Sequence, residues 1–169
     1  MFEMEILAID PGTEKSAFVY CGISNGRVDY IIDIGLVEND ELLGMVKTED
    51  YSGLVIEMIQ SFGMPAGSSL FETCVWIGRF TQASIDKSHY NFVDYIYRTD
   101  EKMTICGTMK SNDSAIRKAL IELYAKDTPN GGKGTKNNRG FFYGFHDDIW
   151  QAFAVAHTFA KRLDEKGNR

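Results

Sequence analysis

The stretch from Glu5 to Tyr20, Glu-Ile-Leu-Ala-Ile-Asp-Pro-Gly-Thr-Glu-Lys-Ser-Ala-Phe-Val-Tyr, constrains the fold more than any other part of the chain. An apolar run, Ile6 to Ile9, delivers one carboxylate, Asp10, to the point where Pro11 and Gly12 interrupt the strand, and a second apolar run, Ala17 to Cys21, then resumes. Proline cannot donate to a ladder and glycine admits a tight turn, so the pattern predicts a β-hairpin with an acid at its mouth. A carboxylate at a strand end beside such a turn is placed to hold a divalent cation or to face a phosphate.

Two further runs extend the hairpin into a meander. Ala17 to Ile23 and Tyr30 to Val37 are separated by Ser24-Asn25-Gly26, and Asn-Gly is a strong hairpin-turn signal. Three strands paired in order are expected, then a short helix over Asn39 to Thr48. Gly53 opens a compact strand, Leu54-Val55-Ile56, that ends on a second acid, Glu57. Because it follows a helix, this strand is expected to lie parallel to the first, joined by a right-handed crossover.

Residues 58 to 68 hold two Gly and a Pro and are expected to be irregular. Ser68 or Ser69 can cap a helix reaching about Asp86, with Leu70, Cys74, Ile77, Gly78, Phe80 and Ile85 toward the core. Phe92 to Ile96 reads as a further helical segment and Met103 to Gly107 as an edge strand. A helix capped by Asn112 or Asp113 follows, carrying Ile116, Leu120, Leu123 and Tyr124 at helical spacing. The last helix, from His146 to about Arg162, has Asp147 or Asp148 at its start and alanines at 152, 154, 156 and 160 that permit close approach to a sheet.

A chain of 169 residues with 44% hydrophobic residues suits a single domain, over residues 1–169, with one well-buried core. No long apolar run or signal-peptide pattern occurs, which leads to the expectation of a soluble, cytoplasmic protein with no membrane association. Cys21, Cys74 and Cys106 are far apart and odd in number, and read as buried reduced thiols rather than a zinc site or disulfides. With 24 acidic and 18 basic side chains, net charge −6, the chain has no global field for a polyanion, so any nucleic-acid surface must be local. A local candidate lies within residues 126–145, where a polar, Gly-rich and basic stretch, Lys126 to Gly140, is followed by Phe141, Phe142, Tyr143 and Phe145. Cations there can neutralise phosphates while rings stack on bases; alternatively, the rings anchor the loop to the core.

Taken in order, strand-Asp-Pro-Gly-Thr, a later strand ending Val-Ile-Glu, the helix Ser-Leu-Phe-Glu-Thr-Cys-Val-Trp-Ile-Gly-Arg and the ending Asp-x-x-Gln-Ala-Phe-Ala-Val-Ala resemble the RuvC-like Holliday junction resolvases of the ribonuclease H-like superfamily. The resemblance spans about residues 5–162, and Phe-Tyr-Gly-Phe-His-Asp-Asp-Ile-Trp-Gln-Ala is more similar to a phage-associated branch. It implies an α/β, ribonuclease H-like fold: a central mixed five-stranded sheet, its first three strands antiparallel and the rest parallel, flanked by helices. It also implies four acidic residues binding two Mg²⁺ or Mn²⁺ ions. Asp10 matches the first-strand acid, Glu57 the later strand-end acid, and Asp148 the first of two acids three apart on the final helix. Gln151 stands where the second would be. A neutral amide binds a hard cation less strongly, so Asp147, or His146 as an auxiliary, can complete the set.

The activity so implied is phosphodiester hydrolysis in branched DNA, four-way junctions first and then flaps or forks, by a homodimer in a bacterial or phage-infected cell. Two cations about 3.5 to 4 Å apart would serve an in-line displacement. DNA contacts are expected at the loops 60–68 and 126–143, with Lys110, Arg117, Lys118, Lys133, Lys136 and Arg139 as the DNA-binding candidates, each of which can equally be a plain solvated charge. Two other readings remain open. One is a binding protein that keeps the fold without the chemistry, which Gln151 favours. The other is an actin-like or sugar-kinase ATP-binding domain, whose phosphate hairpin resembles Asp10-Pro-Gly-Thr but which normally needs two such domains.

Overall fold

The computed structural model describes residues 3–167. Five strands form one mixed sheet in the order β3-β2-β1-β4-β5, with β1 at Met4–Asp10, β2 at Lys15–Ser24, β3 at Arg27–Glu38, β4 at Gly53–Met58 and β5 at Phe92–Tyr97. The first three are an antiparallel meander, and β4 and β5 run parallel to β1. Helices α1 (Asn39–Thr48), α2 (Ser68–Lys87), α3 (Arg98–Glu101), α4 (Asp113–Ala125) and α5 (Ile149–Gly167) complete the chain.

Strand β1 shows how the layers arise. Its side chains alternate, so Ile6 and Ala8 enter one core with α4, α5 and the loop before α5, whereas Leu7 and Ile9 enter a second core with α1 and α2. Ile6 to Ile9 and Leu54 to Ile56 are fully buried, as expected of central strands covered on both faces. On α5 the alanines at 152, 154, 156 and 160 are all buried, and their small size brings the helix against β1 and β2.

Two elements differ from the sequence expectation. Phe92 to Ile96 is not helical: it is β5, parallel to β4 in the register Gly53↔Phe92 to Met58↔Tyr97. Its β-branched and aromatic residues suit a pleated surface, and the open edge of β4 supplies the ladder. Met103 to Gly107 is not an edge strand. Lys102–Cys106 continues α3 as a π-helical turn, closed by Gly107 at φ +71 with its N–H on the Met103 carbonyl.

Burial on α2 also departs from expectation. Thr73, Ile77, Phe80 and Ser84 form the inward stripe, while Cys74, Gly78 and Ile85 are exposed and Leu70 is half-buried. Gly67 rather than Ser68 or Ser69 occupies the cap position. Of the three thiols only Cys21 is buried, where burial pushes its pKa up. On α4 the expected cap holds, with Asn112 Oδ1 accepting from the Ala115 N–H at 2.9 Å, but Leu123 faces outward. Among the described residues, no helix is long and apolar enough to cross a membrane.

Candidate active site

The carboxyl ends of β1, β4 and β5 meet at one edge of the sheet, the usual place for a crevice in an open α/β sheet. Parallel pairing of Ile9 with Ile56 brings Asp10 and Glu57, each one residue further on, to adjacent positions. Pairing of Glu57 with Ile96 then places Arg98 and Glu101 just beyond the same edge. The cleft so formed has a volume of about 360 Å³ and is lined by Asp10, Glu57 and Arg98, with Phe62 and Leu70 on its apolar side.

The turn after Asp10 is locked from behind. Ser16 Oγ accepts from the Gly12 N–H at 3.1 Å and donates to Asn39 Oδ1 at 2.6 Å, and Asn39 Nδ2 donates to the Gly12 carbonyl at 2.9 Å. Both Ser16 and Asn39 are buried, so this network is shielded from water. Gly12 is required by space: a Cβ there would lie 2.2 Å from the Lys15 carbonyl oxygen. The Pro-Gly turn therefore fixes the end of β1, and with it Asp10.

Asp10 and Glu57 lie in hydrogen-bonding reach of one another. The Asp10 carboxyl is held well above the usual carboxylate range, first by burial, then by the charge and hydrogen bond of Glu57, and further by Asp148 and Glu101. Asp148 stands near enough for its charge to act on Asp10, beside the Asp10–Glu57 pair. Asp148 sits just before α5, its carbonyl accepting from the Gln151 and Ala152 N–H groups. Asp147 adopts φ +43 and its Oδ2 pairs with His146 Nδ1 at 2.9 Å, so these two exposed side chains engage one another.

Glu101 belongs to the same cluster, and no sequence motif marks it. It is fully buried, and burial followed by the Glu57 charge raises its pKa to about 8 despite Arg98. Arg98 Nη1 donates to both Glu101 Oε2 and Gln151 Oε1, and Arg98 Nη2 reaches Asp113. The α3 turn is tied down on three sides. Tyr97 N–H and Arg162 Nη2 donate to Asp100 Oδ2 at 3.0 and 2.8 Å, and Thr99 Oγ1 donates to Gln60 Oε1 at 3.1 Å. Only helical phase and long-range packing bring Glu101 inward, which is why sequence reasoning missed it.

Among the described residues, no three His, Cys, Asp or Glu side chains stand close enough to make a ready coordination shell. The donor chemistry nevertheless suits a hard cation. Carboxylates repel one another at the cleft floor, and Glu101 Oε1 is a buried oxygen without a hydrogen-bond partner among the described residues.

The loop at 126–145 is ordered by its own backbone, including a Gly134↔Arg139 bridge and the Phe142 N–H to Gly132 carbonyl bond at 3.0 Å. Its rings chiefly anchor it. Phe142 and Phe145 are fully buried, and Phe141 stacks on Tyr124 at 5.0 Å. Tyr143 alone of the four is exposed, with Arg139 4.5 Å over its ring. Lys136 and Arg139 project from this loop, and Lys133 is half-buried. Lys110 and Lys118 are exposed, and Arg117 lies 4.6 Å over Trp150, two residues from Asp148.

No protein-family model matches the sequence, and no curated protein matches it. Solved structures do. Thermus thermophilus RuvC in complex with a Holliday junction substrate superposes with a TM-score of 0.71 at 11% identity, covering 96% of this chain and 96% of that one. Another Thermus thermophilus RuvC structure gives 0.69 with the same identity and coverage. The yeast mitochondrial Holliday junction resolvase gives 0.60 at 11% identity, over 97% of this chain and 82% of that one. At such identity the likeness is one of fold.

Proposed function

We propose that this chain, which has the ribonuclease H-like fold of the RuvC resolvases, is a metal-dependent endonuclease that cleaves branched DNA, with residues 1–169 as a single nuclease domain. The observation that carries the reading is the Asp10–Glu57 pair at the carboxyl ends of two parallel strands, with Asp148 brought in by α5. Repelling, partly desolvated carboxylates destabilise a fold unless a cation or proton compensates them, so their clustering points to a ligand. The top of this cluster opens into the cleft rather than into the core.

Asp10, Glu57 and Asp148 would hold Mg²⁺ or Mn²⁺, with Asp147 as the next donor and His146 and Gln151 as auxiliaries. Two ions are the expected complement, and when bound they supply Lewis-acid charge to the scissile phosphate and to an attacking water. Asp10, fixed by the Gly12–Ser16–Asn39 network, keeps its position without reorganising during the reaction. Arg98, lining the cleft, offers a fixed guanidinium to a phosphate oxygen. Lys110, Arg117, Lys118, Lys133, Lys136 and Arg139 would neutralise the DNA backbone on either side. A homodimer would present two such sites to a four-way junction.

A second reading, a branched-DNA-binding protein without nuclease activity, draws on the engagement of Gln151 by Arg98. Cleavage of labelled four-way junction, flap and linear duplex in Mg²⁺, Mn²⁺ and EDTA, beside Asp10→Asn, separates the two. Metal-dependent cutting of branched DNA that disappears in Asp10→Asn is the expected result. Junction binding without cutting in either metal would establish the second reading instead.

A further inference from the structure

Neither the sequence motifs nor the proposed ligand set uses Glu101, yet it is the most deeply placed acid of the cluster. Its side chain is 0% exposed. One carboxylate oxygen, Oε2, is held by Arg98, and the other, Oε1, is buried with no hydrogen-bond partner among the described residues. Leaving a carboxyl oxygen bare in the interior is costly, and an apolar side chain would serve the fold better there.

Neutralising Arg98 does not explain Glu101 either. That guanidinium already reaches Asp113 at the surface and the Gln151 carbonyl oxygen, and lines the cleft with Asp10 and Glu57. The bonds of Asp100 to Tyr97 and Arg162, with that of Thr99 to Gln60, hold the α3 turn so that Glu101 faces inward. Such outer bonds orient ligands in metal sites generally. Gln151, which α5 sends to Arg98, contributes only a neutral oxygen and that oxygen is occupied.

We propose that Glu101 is a ligand of the divalent cation at this site, donating through Oε1, and that Arg98 is the positioning residue that holds it. The anionic donor set is then Asp10, Glu57, Asp148 and Glu101, three of them from the ends of parallel strands or the turn that follows. Four carboxylate donors suit Mg²⁺ or Mn²⁺ and disfavour a softer metal. The inference rests on the nuclease reading for the identity of the site, but its consequence is metal affinity, which is measured without DNA.

The test is Mn²⁺ titration of the full chain by calorimetry, and by electron paramagnetic resonance of free Mn²⁺, for wild type, Glu101→Gln, Glu101→Asp and Asp10→Asn. Glu101→Gln should weaken Mn²⁺ binding by about ten-fold or more and shrink the rise in melting temperature that Mn²⁺ produces. Glu101→Asp keeps the charge, so it should weaken binding less than Glu101→Gln; it also carries the test if Glu101→Gln does not fold. Wild-type affinity in both Glu101 variants, with binding lost in Asp10→Asn, would overturn the role of Glu101 and leave the nuclease reading standing. No Mn²⁺ binding by the wild type would overturn both.

Discussion

In metal-free buffer the fold should lose stability as pH rises from 6.5 to 8.5. Glu101 keeps its proton to about 8 in the folded chain, against an ordinary 4.5, because burial and the Glu57 charge outweigh Arg98. A carboxyl raised in this way stabilises the fold fully below its unfolded pKa, and the stabilisation drains away as pH climbs through the folded value. Across this window the unfolded chain has already released the proton while the folded chain is releasing it, a loss of about 2 kcal/mol. His157 works the other way: burial lowers its pKa from 6.5 to about 4, so its contribution rises with pH. That rise is nearly complete at 6.5 and returns well under about 1 kcal/mol. The net loss, about 1 to 2 kcal/mol, corresponds to a fall of about 2 to 8 °C in Tm for a chain of this length. Asp10, raised by burial and then by Glu57, acts in the same direction. Circular dichroism melts in EDTA at several pH values measure it, and Glu101→Gln should lose most of the fall. A Tm that holds or rises between pH 6.5 and 8.5, or an equal fall in Glu101→Gln, would refute the reasoning.

Phe142→Ala should cost about 3 to 5 kcal/mol in urea denaturation, since Phe142 is fully buried among Phe141, Phe145, Trp150 and Phe153; an unchanged midpoint would contradict its anchoring role. Gly12→Ala places a Cβ 2.2 Å from the Lys15 carbonyl oxygen and should destabilise the chain by about 1 to 3 kcal/mol while weakening Mn²⁺ binding through the displaced Asp10, both read in one thermal-shift series. Asn39→Ala removes the buried amide that ties Gly12 to Ser16; a cost of about 1 to 3 kcal/mol is expected, with a lower cleavage rate in Mg²⁺. Replacing Lys136 and Arg139 together by Ala should flatten the plot of log K for junction DNA against log salt by about two contacts' worth of slope. An unaltered slope would remove that loop from the DNA surface.

The alternation in β1, the Asp-Pro-Gly break and the Val-Ile-Glu ending carried enough local information to place two strands and the acids at their ends. A period of two sorts side chains to faces, and a turn residue declares itself by its own backbone limits. The same holds for α5, whose alanines announce a helix packed closely on a sheet. Residues 92–97 were not legible in this way, because a short apolar run suits a helix or a strand until a neighbouring edge offers hydrogen bonds. On α2, two apolar stripes compete, and only the position of the sheet selects Thr73, Ile77 and Phe80 over Phe71, Cys74 and Val75. The loop aromatics were ambiguous for a related reason: whether a ring stacks on a base or fills a core depends on what lies behind it. Glu101 is the clearest case. Its burial, its bare oxygen and its hold on Arg98 are set by contacts with residues far away in the chain, so the sequence by itself determined the two strand-end acids and tertiary packing alone decided what joined them.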